Sequence, residues 1–238
     1  MLAPYGIELS ENCKTCSWRG SKFLCHVSLT GLKSLEAVKQ TNSYPAGAVL
    51  FVEDQAPRGV FLLCKGLVKL TMTSPEGNSI ILRIIEPGEL IGLGSNISGA
   101  LHELTAETLE PSQVNFIKRD AFLQLIHENP EFAVKVTEQL SRDYLAACVQ
   151  IRSIGLSRTA LEKTARFLLK WADKGRQTNA GIRFNLPFTH EEIGQNVGVT
   201  RETITRSLAQ LKEKTLITMK GPTVVICNKP GLEALVAA

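Results

Sequence analysis

Arg201, Glu202 and Arg206 fall within six consecutive residues of GVTRETITRSLAQL, and two guanidiniums with a carboxylate between them can read nucleic-acid bases. An arginine donates two hydrogen bonds to guanine O6 and N7, and a carboxylate accepts from cytosine N4. A threonine such as Thr205 offers thymine a methyl and also carries a hydroxyl. A second set of residues is built from thiols. Cys13-x-x-Cys16 is followed by Cys25, and soft thiolates suit zinc or an iron–sulfur cluster. The plainer alternatives are solvated charges on an amphipathic hairpin for the first set, and reversible disulfides or inert thiols for the second.

The base-reading set needs a rigid support, and the surrounding residues predict one. Thr189 followed by Glu192 is a capping box, so a short helix begins there. Ile193 and Val197 share its buried face, and Gly198 supplies the turn. Thr200 caps a second helix that buries Ile204, Leu208 and Leu211 and turns Arg201, Glu202, Thr205 and Arg206 outward. Two short helices joined in this way are a helix-turn-helix. A helix over about Arg158 to Lys174 precedes it. Leu216 to Met219 and Thr223 to Cys227, around Gly221-Pro222, read as the hairpin of a winged helix, with Lys220 placed against the phosphate backbone. From Ser157 onward thirteen Lys and Arg stand against seven Asp and Glu, a local +6 inside an overall +4. That bias favours phosphate contact and salt-sensitive binding, without specifying bases.

A chain of 238 residues that is 44% hydrophobic carries enough apolar material for two domains. No apolar run approaches the roughly 18 residues of a membrane span, and MLAPYGIELSENC lacks the basic start and apolar centre of a secretion signal. A cytoplasmic location is expected, in which six cysteines are reduced thiols or metal ligands.

The pattern predicts four segments: a cysteine region over 1–28, a β-rich domain over 29–129, a long helix over 130–156 and the DNA-binding domain over 157–238. The second opens with a helix near Leu29 to Lys39. Strands are expected at Ala48 to Val52, Val60 to Cys64, Leu67 to Thr73, Ser79 to Ile85, Leu104 to Thr108 and Val114 to Lys118, folded as a small barrel or jelly roll. The fold class is therefore α+β. In the long helix, Ala133, Thr137, Leu140, Tyr144, Ala147, Ile151 and Ile154 follow alternating steps of four and three. This is the spacing of a coiled-coil seam and predicts a homodimer. Packing against the chain's own barrel is the alternative.

Taken together, GVFLLCKGLVKL, ILRIIEPGELIGL, the long helix and GVTRETITRSLAQL resemble the Crp/Fnr family of transcriptional regulators over nearly the whole chain. The resemblance implies a cyclic-nucleotide-binding-type barrel, a dimerisation helix and a winged helix-turn-helix. It further implies a palindromic double-stranded DNA operator with a TGA-containing core, and RNA polymerase as a partner. Family members that bind cyclic AMP use a Gly-Glu pair and a following Arg-Ser pair. Here Leu93 follows Gly92, and no arginine lies between Arg83 and Lys118, which speaks against cyclic AMP. The cysteines are similar to the [4Fe-4S] ligands of Fnr-type oxygen sensors. Two departures stand out: the gap from Cys16 to Cys25 is longer, and the fourth cysteine of that family aligns near Asn115. Cys64 is the candidate fourth ligand, with Cys148 and Cys227 as further options.

Zinc at Cys13, Cys16, Cys25 and His26, or no metal at all, remains open at this point. So does control through the barrel, either by a small metabolite or by haem on His102 or His127. A redox enzyme or metal carrier is the reading from another class. The chain has no phosphate-binding Gly-Lys loop and no nucleophile elbow, and its CxxC is not set in a thioredoxin-like βαβ unit, so no enzyme is expected.

Overall fold

The computed structural model describes residues 4–7, 9, 12–13, 16, 25–156 and 159–237. Ser157 and Arg158, where the sequence places the domain junction and a helix start, lie outside the described residues, as does most of the segment between Cys16 and Cys25. The chain forms two compact units, one of residues 1–74 and 82–147, the other of 75–81 and 148–238. The division falls within the long helix.

In the first unit a short turn at Pro4–Gly6 precedes α1 (Leu29–Val38), whose start is capped by the Ser28 hydroxyl accepting from the Gly31 amide at 3.1 Å. The strands follow as β1 (Gln40–Tyr44), β2 (Val49–Phe51), β3 (Gly59–Lys65), β4 (Val68–Thr73), β5 (Ser79–Ile85) and β6 (Leu90–Ile91). The short helix α2 (Leu93–Ser98) comes next, then β7 (Thr105–Thr108), β8 (Ser112–Lys118), α3 (Arg119–Glu128) and α4 (Pro130–Leu156). Two four-stranded sheets result, ordered β1-β8-β3-β6 and β2-β7-β4-β5. This is a jelly-roll pairing whose sheets do not close.

Strand β3 shows why the sequence folds this way. Its side chains alternate faces, so Val60 and Leu62 enter the cluster with Leu32, Leu35, Phe122 and Phe132, while Leu63 joins Phe51, Ile85 and Val114. A strand buried on both faces reads as a continuous apolar run, as GVFLLCK does. Strand β1, by contrast, is the polar run QTNSY. It carries no apolar alternation and goes undetected in the sequence, yet it pairs in full with β8 from Gln40↔Phe116 to Tyr44↔Ser112.

The second unit contains α5 (Ala160–Ala172), β9 (Arg176–Thr178), β10 (Gly181–Asn185), α6 (His190–Val197), α7 (Arg201–Glu213), β11 (Ile217–Lys220), β12 (Thr223–Ile226) and α8 (Lys229–Ala237). One sheet, β11-β12-β10-β9, extends the expected two-strand wing by two more strands. Leu168, Ile193, Ile204 and Leu211 are all but fully buried. Each such side chain contributes about 1.5–3 kcal/mol on leaving water. Phe188 packs edge-on to Phe167 and Trp171, with ring centroids 5.7 and 4.9 Å away.

The long helix divides its apolar residues between faces. Of the expected seam, Leu140 packs against the β-domain core, Ala147 and Ile154 are half-buried, and Tyr144 and Ile151 are 69% and 66% exposed. Val134, Leu145 and Val149 are exposed with them. The exposed apolar residues thus include two members of the expected seam, Tyr144 and Ile151, four and eleven positions beyond Leu140. A strict seam of step 3.5 drifts around a helix that turns every 3.6 residues.

Candidate nucleic-acid interface and sensor sites

The helix-turn-helix is held by local bonds. Thr189 caps α6 by accepting from the Glu192 amide at 3.2 Å, and the Glu192 carboxylate accepts in return from the Thr189 amide at 2.9 Å. Gly198 ends the helix in the left-handed region at φ 70°. At Gly194 a Cβ would stand 2.6 Å from the Val199 carbonyl oxygen, so only glycine lets the turn fold back so closely. Thr200 then caps α7, accepting from the Thr203 amide at 3.3 Å.

Helix α7 buries Ile204, Ser207, Leu208 and Leu211, and leaves Arg201, Glu202, Thr205 and Arg206 exposed. The predicted base readers therefore share one free face. The Glu202 carboxyl is held below the usual carboxylate range by its backbone amide at the helix start, then by the Thr200 hydroxyl and the charges of Arg201 and Arg206. It is an acceptor at neutral pH. Lys220 is exposed at the end of β11, opposite Thr223 and beside Gly221 at the tip of the wing. His190, which the sequence did not single out, joins this surface. Its Nδ1 lies 2.9 Å from the Thr205 hydroxyl.

Two of the cysteines meet at the β-domain core. Cys13 and Cys64 pack against the same apolar cluster. The Cys13 amide donates to Glu36 at 2.7 Å, and its sulfur accepts from Lys39 Nζ at 3.4 Å. Cys64 Sγ accepts from Asn115 Nδ2 at 3.1 Å. Burial pushes the Cys64 thiol up to about 12, with further upward contributions from Cys13, Cys25 and Cys16. Burial also raises Cys13, against the pull of Lys39. Among the described residues no three His, Cys, Asp or Glu side chains stand assembled as a ligand set. Cys148 lies half-buried in α4 and Cys227 is exposed after β12. His26 and His127 are exposed.

A cavity of about 450 Å³ opens in the first unit, lined by Gly92, Leu93, Ser95, His102 and Glu103, by Arg83 of β5 and by Leu140 and Asp143 of α4. Arg83 is a cation in this lining. It is already engaged by Glu89 and Asp143. His102 is buried, its ring stacked on Phe51 at 3.8 Å between centroids and its Nδ1 2.7 Å from the Ser95 hydroxyl. Burial lowers its pKa, opposed by Glu103.

No helix among the described residues is long and apolar enough to cross a membrane. Residues 41–129 match the cyclic nucleotide-binding domain, and residues 162–235 match the Crp-like helix-turn-helix domain. The transcriptional activatory protein AadR of Rhodopseudomonas palustris is 26% identical, over 95% of this chain and 94% of its own. The nitrogen fixation regulation protein FixK of Bradyrhizobium diazoefficiens is 25% identical over 100% of this chain and 98% of its own. The solved structure of FixK2 from Bradyrhizobium japonicum superposes with a TM-score of 0.74 at 26% identity, over 84% of this chain and 98% of that one. These relatives are regulators and not enzymes. With both domains matched in order, and Arg201, Glu202, Thr205 and Arg206 exposed on α7, the chain belongs to the Crp/Fnr family of DNA-binding transcriptional regulators.

Proposed function

We propose that this regulator acts in the cytoplasm as a homodimer on a palindromic operator with a TGA-containing core, under the control of an oxygen-labile [4Fe-4S] cluster. Cys13, Cys16, Cys25 and Cys64 would hold the cluster. The observation that carries the sensor reading is the position of Cys64. Its thiol shares an apolar cluster with Cys13 and bonds to Asn115, the position near which the fourth cysteine of Fnr-type sensors aligns. The ligand has moved one strand across, from β8 to β3. Four soft donors suit this group, and Lys39 and Asn115 already aim donors at two of the sulfurs. When bound, the cluster would supply a group that oxygen converts or removes.

The exposed apolar stripe of α4 supports the dimer, in which each α7 meets one half-site. Arg201, Glu202 and Arg206 are assigned as base readers, Thr189, Thr200, Thr205 and Lys220 as supporting contacts, and RNA polymerase as the partner that receives the signal. Control requires that the sensor favour one dimer arrangement over another, since equal affinity for both shifts nothing.

Anaerobic purification with absorption spectroscopy and iron and sulfide analysis tests the sensor. Iron and sulfide present in the wild type and lost in Cys64→Ala, but retained in Cys148→Ala, are expected. A colourless, iron-free protein carrying one zinc would overturn it.

A second reading, control by a small metabolite in the barrel, is favoured by the cavity that β5 and α4 share at Arg83 and Asp143. Neither reading takes cyclic AMP as the effector: Leu93 stands where the acid would be, and Arg83 is already paired with Glu89 and Asp143. His102, committed to Ser95 and Phe51, does not favour haem.

A further inference from the structure

We propose that His190 is a proton-gated contact to the DNA backbone: adding a proton at Nε2 creates a cationic donor beside the recognition helix while Nδ1 keeps its bond to Thr205. The inference rests on the DNA-binding reading of this surface and goes beyond it. Thr205 Oγ1 lies 3.0 Å from the Arg201 carbonyl oxygen, which can only accept, so the hydroxyl proton is used there. The 2.9 Å contact between His190 Nδ1 and the same hydroxyl oxygen then requires Nδ1 to be the donor. The neutral ring therefore carries its proton on Nδ1 and presents a bare lone pair at Nε2, which makes no hydrogen bond among the described residues.

A bare lone pair cannot donate to a phosphate oxygen. Protonation reverses this without breaking the bridge to Thr205, so the fold of the domain is unaffected while its surface gains a charge. Thr205 lies on the exposed face of α7 between Arg201 and Arg206, which puts the ring at the edge of the face that meets DNA. The charged groups that act on the ring are Lys212 and Arg201, both from α7. Together with burial, which is the larger cause, they hold it below the ordinary histidine range. On its own helix, Glu192 is turned back onto Thr189, and Glu191 is exposed. A phosphate arriving beside the ring opposes the two cations and favours the protonated form. The free protein is thus kept neutral at this position, and uptake of the proton is coupled to DNA.

The test measures binding of the full-length protein to a labelled duplex, selected by the protein itself from a random pool, under one fixed oxygen condition. Between about pH 7.5 and about pH 6 the wild-type affinity should rise by up to about tenfold, and the slope of log affinity against log salt should steepen by about 0.9. His190→Asn keeps an amide donor for Thr205 but has nothing to titrate, and should lose both changes. An equal gain in His190→Asn, or a flat wild-type profile, would overturn the proposal. If His190→Asn melts early, His190→Gln carries the same comparison. Failure of the wild type to bind any duplex at either pH would instead sink the DNA-binding reading, and this proposal with it.

Discussion

Asn115 ties three strands together through one buried side chain: its Nδ2 donates to Cys64 of β3 at 3.1 Å, while its Oδ1 accepts from the Thr41 hydroxyl of β1 at 2.8 Å. The register places Thr41 opposite Asn115 on one side, and Leu62, two residues before Cys64, on the other. Replacing Asn115 with leucine leaves the Thr41 hydroxyl without this acceptor and removes the amide that donates to the Cys64 sulfur. A loss of about 1–3 kcal/mol is expected for the orphaned polar groups, read as a lowered denaturation midpoint of the metal-free protein. The same variant, loaded anaerobically, should retain iron less well than the wild type.

On the recognition helix, Arg206→Ala should weaken operator binding by about 1–3 kcal/mol, while any sensor signal in the absorption spectrum is unchanged. Glu202→Gln should behave differently. Removing the only exposed carboxylate between two arginines relaxes discrimination at one base pair and raises affinity for random-sequence DNA, as competition binding would show. Because the Glu202 carboxyl sits below its usual range, its charge is lost only in strong acid. The base preference it provides should therefore hold through the whole neutral range.

Two glycines on helices should respond in opposite ways to alanine. At Gly194 the new Cβ meets the Val199 backbone oxygen at 2.6 Å, and backbone cannot step aside as a side chain can. A destabilisation of about 1–3 kcal/mol or more is expected, with the turn that aims α7 disturbed. At Gly155, within α4, nothing lies within 4 Å of the added Cβ. Gly155→Ala should stabilise by roughly 0.5–1 kcal/mol, because alanine has less backbone freedom to lose. Calorimetry on the pair measures both signs.

His102 should make the β-domain sensitive to acid. Its folded pKa lies below the unfolded value, so the unfolded chain binds more protons in the window between them, and stability falls as pH drops. The contribution is intact above the ordinary histidine range and is lost progressively below about pH 6.5. His102→Gln should flatten that part of the midpoint-against-pH curve. A wild-type midpoint that stays level from neutral pH to about pH 5 would contradict the assignment.

The DNA-reading end was largely legible in the sequence. Thr189 with Glu192, the glycine at 198, the Thr200 cap and the apolar spacing of Ile204, Leu208 and Leu211 act over three or four residues, and each holds in the structure. His190 was hidden there because its partner lies 15 residues on, across the turn. Strand β1 was hidden because polar residues carry no alternation, and the even spacing along α4 did not separate Leu140, which packs on the β-domain core, from the exposed Tyr144 and Ile151.

Sequence alone therefore carried the resemblance to the family in its motifs, and determined the helix-turn-helix, since short-range propensity and capping chemistry decide such elements. Only the tertiary structure decided that Cys64 stands beside Asn115, 51 positions away, and that Arg83 meets Asp143 across 60. Those pairings depend on strand register and on helix packing, which set which side chains share a face and which no local pattern of residues encodes.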